Sequence, residues 1–388
     1  MRLTPPVLQH ACAYPWLQSL KTAQLQRIAQ ATGIQSSGPK APLIQRLASE
    51  LAQCEYRPDD HGSKTTTLSI LSIDMGIRNL AFAHLLVPQS SSPAVGGKRS
   101  SSSTPPHSPL ITTSPISPTL NAWRRLAISD LHLVPPSFSS STANDNPNNP
   151  STIPRNLPDL VPTSKETFAP ALYAQLAYDL LTSLLDTYRP THVLIERQRF
   201  RSGGGSAVQE WTLRVGVFEG MLYAVLYALQ QERVRRGAGL HSSSSLSPSP
   251  IVVGIEPQRV ARYWGDGLSL SHSPSQSEDG EKRGKKKATS SREGKRIKID
   301  LVGRWLDSAA GVPSKVLVGE DPDLHGWVDG YLQRWKGAGK RTKRTTAGPE
   351  IGKLDDLADC LLQGVTWLEW QKMRDRISRE GIHALDNC

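Results

Sequence analysis

The chain has 388 residues, of which 37% are hydrophobic, and its 46 Lys and Arg against 35 Asp and Glu give a formal net charge of +11 at pH 7. This length suffices for two or three domains of about 100–200 residues each, and the positive charge favours a polyanionic partner such as nucleic acid or an anionic membrane face. No apolar run approaches the roughly 18 residues of a transmembrane helix. The four cysteines lack the spacing of a zinc module or of a disulfide framework.

The N-terminal part of the chain is basic, and residues 1–49 contain no Asp or Glu. An acid-free, basic start is compatible with a mitochondrial transit peptide, for which residues 1–15 are the candidate segment. The same stretch is also compatible with a DNA-binding motif. We therefore expect a mitochondrial location, with the nucleus as the alternative.

Residues 16–54 show the pattern of two short helices joined by a tight turn. Leu20, Leu25 and Ile28 form one apolar face, and Gly33 ends the first helix. The pattern is similar to SAP-type DNA-binding motifs, in which basic side chains contact phosphates without reading the base sequence. The candidate phosphate contacts are Lys21, Arg27, Lys40 and Arg46. The alternative is a small helical hairpin that only docks on the main domain.

Low-complexity segments interrupt the rest of the chain. They are poor in large apolar residues, and we interpret them as disordered insertions in surface loops, where added length costs little closure entropy. These segments are 88–119, 134–165, 241–250 and 267–293. Basic residues crowd 282–298, which is either a solvated or localisation-like stretch or a contact with a phosphate backbone.

Between these insertions, residues 66–375 have the pattern of an α/β domain with five strands. The order is three strands, helix, strand, helix, strand and two further helices. The predicted strands are 68–75, 80–87, 121–132, 192–196 and 251–256, and the predicted helices are 168–188, 206–233, 296–307 and 353–371. The first two strands are close enough in sequence to form an antiparallel hairpin.

Acidic residues stand where apolar strands end and where the last helix begins. Asp74 lies in an apolar strand, Glu196 ends another, and Asp355, Asp356 and Asp359 open the last helix with i, i+3 and i, i+4 spacings that share a face. Clustered carboxylates repel one another, and hard divalent cations are the usual reason for keeping them together. Two such ions can activate water and stabilise the leaving oxygen in phosphodiester hydrolysis.

Each acid also has a structural interpretation. Asp74, with Gly76 following, is compatible with a turn at a strand end or with the phosphate loop of an actin-type ATPase. Asp355 and Asp356 are compatible with a simple interaction with the positive end of the helix dipole. The combination of all the acids, in this order among these strands and helices, favours the metal site.

Three sequence blocks, LSIDMGIRNLAF, VLIERQRFRSGG and KLDDLADCLLQG, resemble the signature blocks of fungal mitochondrial Holliday junction resolvases, relatives of bacterial RuvC. The resemblance covers 68–87, 168–264 and 296–371. It implies an RNase H-like fold with a mixed sheet flanked by helices, a homodimer acting on four-way DNA junctions, and a need for Mg²⁺ or Mn²⁺, with two ions per active site.

The resemblance also implies a set of metal ligands and catalytic residues. In the family they are the first-strand Asp, the fourth-strand Glu and two acids of the last helix. Here these positions are Asp74, Glu196, one of Asp355 or Asp356, and Asp359. The choice between the adjacent acids stays open, with Asp356 favoured because related helices often use the i, i+3 pair.

Basic and polar residues follow Glu196 directly. Arginine can bind phosphate oxygens in a bidentate manner, which suits a phosphate-bearing substrate beside a metal site. The candidate DNA contacts are Arg197, Gln198, Arg199 and Arg201, with Arg78 as a weaker candidate for the same surface. The alternative for these side chains is ordinary ion pairing in solvent.

These patterns together predict a metal-dependent, structure-selective endodeoxyribonuclease that resolves Holliday junctions. We expect no membrane partner and no small-molecule substrate. The alternatives are another RNase H-like nuclease directed at RNA–DNA hybrids, and a DNA-binding or packaging protein without activity. The apolar stripe of the helix at 206–233 does not distinguish burial in the core from a dimer interface.

Overall fold

The computed structural model of the chain describes residues 14–54, 67–88, 117–128, 168–198, 210–239, 249–271, 291–307, 314–337 and 351–385. The helices are α1 (Thr22–Ala31), α2 (Lys40–Ala52), α3 (Pro170–Tyr188), α4 (Glu210–Gly239), α5 (Pro257–Ser271), α6 (Ser291–Leu306), α7 (Pro322–Trp335) and α8 (Leu354–Glu380). The strands are β1 (Leu68–Asp74), β2 (Leu80–Val87), β3 (Thr119–Leu126), β4 (His192–Glu196), β5 (Ile251–Ile255) and β6 (Leu317–Val318). Short 3₁₀ helices span Pro15–Ser19 and Gly381–Leu385.

The strands form one mixed sheet in the order β5-β4-β1-β2-β3-β6. Strands β1, β2 and β3 are antiparallel neighbours, while β4 is parallel to both β1 and β5. Every residue of β1 is buried, including the polar Ser69, Ser72 and Asp74, as expected for a central strand covered on both faces. The predicted mixed α/β sheet flanked by helices is confirmed, and the carboxyl ends of β1, β4 and β5 meet at one edge.

Two details of the predicted sheet are wrong. The sheet has six strands instead of five, because β6 has only two residues and so carries no periodic pattern. The third strand spans Thr119–Leu126 instead of 121–132, and its last residue, Leu126, pairs with Leu80, the first residue of β2. Its first residue, Thr119, belonged to the predicted insertion 88–119.

Two apolar layers cover the sheet. Alternation along β1 sends Ile70 to the layer that contains α8 and sends Leu71 and Ile73 to the layer that contains α3 and α4. Helices α5 and α7, which the sequence pattern did not predict, join the α8 layer. Helix α8 approaches the sheet closely at Gly364, where a Cβ atom would lie 2.9 Å from the side chain of Leu85.

The predicted insertion 267–293 is wrong at both margins. Helix α5 continues to Ser271 and α6 begins at Ser291, so residues rich in Ser, Lys and Arg extend helices whose other residues pack on the core. Residues 272–290 lie outside the described part of the chain, as do 134–165 and most of 88–119 and 241–250.

The N-terminal helical hairpin packs on the far end of α8. Its core of leucine and isoleucine side chains includes Ile377 and Leu385, so this part of the chain shares one apolar cluster with the C-terminal residues. Gly33 follows α1 with φ of +68°, and the indole of Trp370 occupies the space that a side chain at this position would need. Arg259 donates to the carbonyl oxygen of Gly33 at 3.0 Å, which ties the hairpin to α5.

Helix α4 has one buried face and one apolar exposed face. Val215, Phe218 and Leu222 are buried against the α3 layer, whereas Leu213 and Tyr227 are 46% and 65% exposed. By length and composition alone, Glu210–Arg235 is long and apolar enough to cross a membrane, whereas no segment of this kind was predicted from the sequence. A core helix passes the same test, and the buried face of α4 belongs to the packed domain.

Candidate active site

Asp74 and Glu196 lie side by side at the carboxyl edge of the sheet. They end β1 and β4, which are parallel neighbours in a register that pairs Ile73 with Ile195. The carboxyl groups of Asp74 and Glu196 lie close enough together for Glu196 to raise the pKa of Asp74, which is only 8% exposed. The convergence predicted from two separate strand ends is therefore present.

The start of α8 brings further acids to this pair. Burial raises the pKa of Asp74 well above its usual range, and the hydrogen bond and charge of Glu196 and the charges of Asp359 and Asp356 add to the effect. Burial also raises the pKa of Asp359 to about 6, although Lys298 opposes this shift. These mutual effects show that Asp74, Glu196, Asp356 and Asp359 form one electrostatic cluster.

The adjacent residues Asp355 and Asp356 have different partners. Asp356 accepts a hydrogen bond from Arg125 of β3 at 3.1 Å, and burial together with the charge of Asp355 raises its pKa. Asp355 instead pairs with Lys295 of α6 at 2.5 Å, and this contact outweighs burial and lowers its pKa. Asp356 is among the groups whose charges raise the pKa of Asp74.

Three basic side chains contact the acids of α8. Besides Arg125 and Lys295, Lys298 lies 2.6 Å from Asp359. The sequence pattern placed both lysines in a basic stretch without assigning them to the acids, and it did not single out Arg125 at all. No local signal marks these contacts, because they depend on how α6 and β3 pack against α8.

The donor set fits a hard divalent cation in its chemistry. It consists of carboxylate oxygens alone, and the two at the strand ends are close enough to share a hydrogen bond. Among the residues that the structure describes, no three His, Cys, Asp or Glu side chains stand close enough together to hold a metal ion. Asp356 and Asp359 are instead each paired with a basic side chain, Arg125 at 3.1 Å and Lys298 at 2.6 Å.

The basic residues beyond the strand ends lie beside this cluster. The Arg197 side chain is 60% exposed and lies 3.9 Å from Glu256, at the end of β5. Gln198 donates its backbone N–H to the carboxylate of Glu219 on α4 at 3.0 Å. The guanidinium of Arg78 lies 5.3 Å from the ring centre of Trp211. Arg199 and Arg201 lie outside the described residues.

Two acids near these residues were not predicted from the sequence. Glu219 lies in a helix with an apolar stripe, and Glu256 directly follows β5. Burial raises the pKa of Glu219, whose carboxylate holds the chain just after Glu196. Glu256 could have been found by its position at a strand end, which is the signal that identified Glu196.

The basic residues of the N-terminal hairpin contact the chain itself. Arg27 donates to the carbonyl oxygen of Leu385, Lys40 to that of Gln18, and Arg46 to that of Ser37. The backbone N–H of Lys21 donates to Gln24 at the start of α1. Lys21, Arg27 and Lys40 remain exposed, so these contacts leave part of each side chain available at the surface.

The fold and the acidic edge together define the class of the protein. A mixed sheet with two parallel strand ends that carry acids, covered by a helix whose first turns carry further acids, is the arrangement that the resemblance to RNase H-like proteins implies. A family model described as "Mitochondrial resolvase Ydc2 / RNA splicing MRS1" matches residues 70–377, which is most of the chain. The chain belongs to this family.

The individual proteins and structures to which the chain is similar share 14–26% sequence identity with it. "Cruciform cutting endonuclease 1, mitochondrial" of Schizosaccharomyces pombe is 26% identical over 206 residues, an alignment that covers 53% of this chain and 60% of that relative. The crystal structure of the yeast mitochondrial Holliday junction resolvase Ydc2 is 20% identical, with a TM-score of 0.48 and coverage of 95% of this chain and 99% of that one. The RuvC structure of Thermus thermophilus is 14% identical, with a TM-score of 0.30 and coverage of 79% and 96%.

Proposed function

We propose that the chain is a structure-selective endodeoxyribonuclease that hydrolyses phosphodiester bonds in four-way DNA junctions. The observation that carries this proposal is the placement of Asp74 and Glu196 side by side at the ends of two parallel strands, with Asp356 and Asp359 near enough to raise the pKa of Asp74. Membership of a family described by a mitochondrial resolvase supports it, as does similarity to a protein named as a cruciform-cutting endonuclease. The mitochondrial descriptions likewise support a mitochondrial location.

The proposed metal ligands are Asp74, Glu196, Asp356 and Asp359, which would hold Mg²⁺ or Mn²⁺. Held by these residues, a pair of such ions would supply water activation and charge stabilisation of the leaving oxygen, and the products would carry 5′-phosphate and 3′-hydroxyl ends. Burial and the neighbouring carboxyl groups raise the pKa of Asp74, and a cation binds the carboxylate form, so metal affinity should rise with pH. Asp355, held by Lys295, is assigned a supporting role beside Asp359.

The proposed substrate contacts surround this cluster. Arg197 is exposed immediately after Glu196, and Arg78 is exposed four residues after Asp74, so both reach solvent at the same edge. Gln198, Arg199 and Arg201 continue the same segment. Lys21, Arg27, Lys40 and Arg46 of the SAP-like hairpin are assigned contacts with a DNA arm. Contacts of this kind bind phosphates, so junction affinity should fall steeply with salt concentration.

A homodimer follows from the same function, because a two-fold symmetric junction that is cut on two opposed strands needs two symmetry-related sites. Helix α4 offers a surface for this contact. Leu213 and Val217 are nearly half exposed, and further along the helix Tyr227 and Val234 are 65% and 61% exposed. Gly220 lies between these residues with open space around its Cα, which allows a second helix to approach closely.

The function is tested by incubating the chain with a four-way junction, a linear duplex and an RNA–DNA hybrid, each with and without Mg²⁺. We expect paired, symmetric nicks in the junction only, and only with the metal. Asp74→Asn and Glu196→Gln should each reduce cutting by a factor of 1,000 or more, on the order of 4 kcal/mol of transition-state stabilisation, while junction binding persists. The matched control is Asp186→Asn, at an exposed position of α3.

Each contrary outcome points to a specific alternative. Cutting of the RNA–DNA hybrid alone would favour a different RNase H-like nuclease. Junction binding without cutting, unchanged in Asp74→Asn, would favour a DNA-binding or packaging protein. Cutting that survives both carboxylate substitutions would show that the assigned ligand set is wrong.

A further inference from the structure

We propose that Arg125 is a positioning residue of this site, which fixes the orientation of the Asp356 carboxylate toward Asp74. The inference rests on the proposed function, because it assigns Arg125 a role at the same cluster. In this role the guanidinium binds one oxygen of Asp356 and leaves the other directed at the cluster. No motif in the sequence marks this residue, and it becomes visible only through the sheet register.

The register places Arg125 in the same row of the sheet as Asp74. Asp74 pairs with Ala81 of β2, and Ala81 pairs in turn with Arg125 of β3. Directly paired residues of neighbouring strands project from the same face of a sheet. The side chains of Asp74 and Arg125 therefore rise on either side of Ala81, beneath the start of α8.

Arg125 is held by two partners that belong to the site. Its Nε donates to Asp356 Oδ2 at 3.1 Å, and its Nη2 donates to the side-chain oxygen of Asn79. Asn79 stands at the end of the turn that begins after Asp74, so the guanidinium joins this turn to α8. The Arg125 and Asp356 side chains are 20% and 18% exposed, which limits the screening of the ion pair by solvent.

The surroundings of Arg125 are fitted to its guanidinium. A Cβ atom at Gly352, just before α8, would collide with the guanidinium, so the backbone passes close to it without a side chain. Ala81 leaves the path across β2 free of a bulky group. Two residues before Arg125, Trp123 donates its Nε1–H to the carbonyl oxygen of Leu357 at 3.0 Å, which fixes the neighbouring backbone of α8.

Two physical effects of Arg125 on a bound cation oppose each other. Its positive charge repels the cation, whereas the fixed, planar arrangement of its guanidinium N–H donors orients a ligand carboxylate. If repulsion dominated, removing the charge would tighten metal binding. We expect orientation to dominate, because a mispositioned ligand in a metal site typically lowers affinity 10–100-fold.

The test is Mn²⁺ binding measured by electron paramagnetic resonance on the full chain, together with junction cutting at a range of Mn²⁺ concentrations. In Arg125→Gln the Mn²⁺ dissociation constant should rise about 10-fold or more. Arg125→Lys should restore only part of the affinity, because lysine lacks the planar set of N–H donors that can bind two partners in a fixed geometry. Arg124→Gln is the matched control: the adjacent arginine pairs with the exposed Asp323 at 3.1 Å. Tighter or unchanged Mn²⁺ binding in Arg125→Gln would overturn the inference.

A double-mutant cycle separates positioning of Asp356 from general effects on the site. In an Asp356→Asn background, Arg125→Gln should weaken Mn²⁺ binding by less than 2-fold, whereas in Asp359→Asn it should keep its full effect. Equal effects in both backgrounds would contradict positioning through Asp356. If thermal melting shows that Arg125→Gln does not fold, Asn79→Ala replaces it in the test. This variant removes only one of the two hydrogen-bond partners of Arg125, and it should raise the Mn²⁺ dissociation constant several-fold.

Failure of the inference and failure of the proposed function give different results. If the wild-type chain neither binds Mn²⁺ nor cuts a junction, the proposed function itself is wrong. If the wild-type chain binds Mn²⁺ and cuts the junction, and the Arg125 variants behave like Arg124→Gln, then only the role proposed for Arg125 is wrong.

Discussion

Side chains at this site are held in states that they would not adopt in water. Asp74 and Asp359 have raised pKa values because burial disfavours their charged forms, and neighbouring carboxylates add to this for Asp74. Asp355 keeps a lowered pKa because Lys295 contacts it directly. The negative charges of these buried carboxylates are therefore unfavourable near one another, and a bound divalent cation would offset their repulsion.

A first consequence concerns Asp359 and the stability of the chain without metal. Its pKa is about 6 in the fold against 3.8 for a free aspartate, so the folded chain binds more protons between these values and stability falls as pH rises through them. Asp359→Asn should therefore raise the melting temperature at pH 7 in EDTA. The gain should be about 2–4 °C, equivalent to about 1 kcal/mol, and it should shrink toward pH 4.

This expectation is checked by thermal unfolding of wild type and Asp359→Asn across pH 4–7.5, with Asp186→Asn as the exposed control. Loss of the Lys298 pair opposes the gain, but burial has the larger effect on Asp359. A variant that melts below wild type at pH 7 in EDTA would show that the Lys298 contact dominates. With Mg²⁺ present the order should reverse, because only wild type keeps the full set of proposed ligands.

Asp74 and Glu196 were predictable from the sequence because each ends a short apolar run, and the ends of parallel strands meet at one sheet edge. The acids of α8 were predictable because their i, i+3 and i, i+4 spacings keep them on one face. Arg125 and Lys298 were not, because no periodicity reports which strand or helix comes to lie against α8. The choice between Asp355 and Asp356 depends on the same long-range packing, and Asp356 stays a prediction.

At the scale of elements, contact between β1 and α8 sets the geometry of the cluster. Gln363, one turn beyond Asp359, is 3% exposed and donates to Ser72 Oγ at 3.0 Å and to the carbonyl oxygen of Ile73 at 3.2 Å. The next residue, Gly364, allows the helix to lie close to the strand. A buried amide thus fixes α8 against the residues that directly precede Asp74.

Replacing this amide should weaken both the fold and the site. Gln363→Leu removes the donor of two buried hydrogen bonds to β1, which costs about 1–3 kcal/mol of unfolding free energy. Urea unfolding measures this cost, and Gln333→Leu on the exposed face of α7 is the control. The variant should also need more Mg²⁺ for half-maximal junction cutting. Unchanged stability would show that water or neighbouring groups replace the amide.

The elements themselves were predictable to different degrees. Strands β1, β2, β4 and β5 were found because each is a compact apolar run bounded by turn residues. Helices α5 and α7 were missed although their apolar residues have helical spacing, as at Val260, Tyr263 and Trp264 of α5. Strand β6 is held by parallel pairing with β3 alone, which no local pattern reveals.

At the scale of the whole molecule, the N-terminal hairpin and the exposed face of α4 lie on different sides of the sheet domain. The N-terminal hairpin is tied to α5 through Arg259 and to α8 through Arg374, which donates to the carbonyl oxygen of Thr32 at 2.9 Å and pairs with Glu50 at 3.1 Å. Basic residues of the hairpin are thereby held in a fixed relation to the acidic edge. On the opposite layer, α4 presents its exposed apolar face.

Oligomeric state tests the assignment of this α4 face. The double variant Leu213→Glu with Val217→Glu places charges on two nearly half-exposed positions and should convert a dimer to a monomer in analytical ultracentrifugation. Burying two carboxylates in an apolar contact is unfavourable by several kcal/mol. Leu317→Glu, at an exposed apolar position on β6, should leave the dimer intact. A wild-type monomer at micromolar concentration, or a dimer unaffected by the double variant, would contradict the assignment.

The central claim, that acids from two strand ends and one helix start form a shared metal site, is tested most directly by locating Mn²⁺ in crystals through its anomalous scattering. We expect a peak bonded to oxygens of Asp74 and Glu196 at about 2.0–2.3 Å, with Asp356 or Asp359 completing the protein ligands. The same peak should be absent from crystals of Asp74→Asn. A Mn²⁺ peak elsewhere, or none between these carboxylates at millimolar Mn²⁺, would contradict the claim.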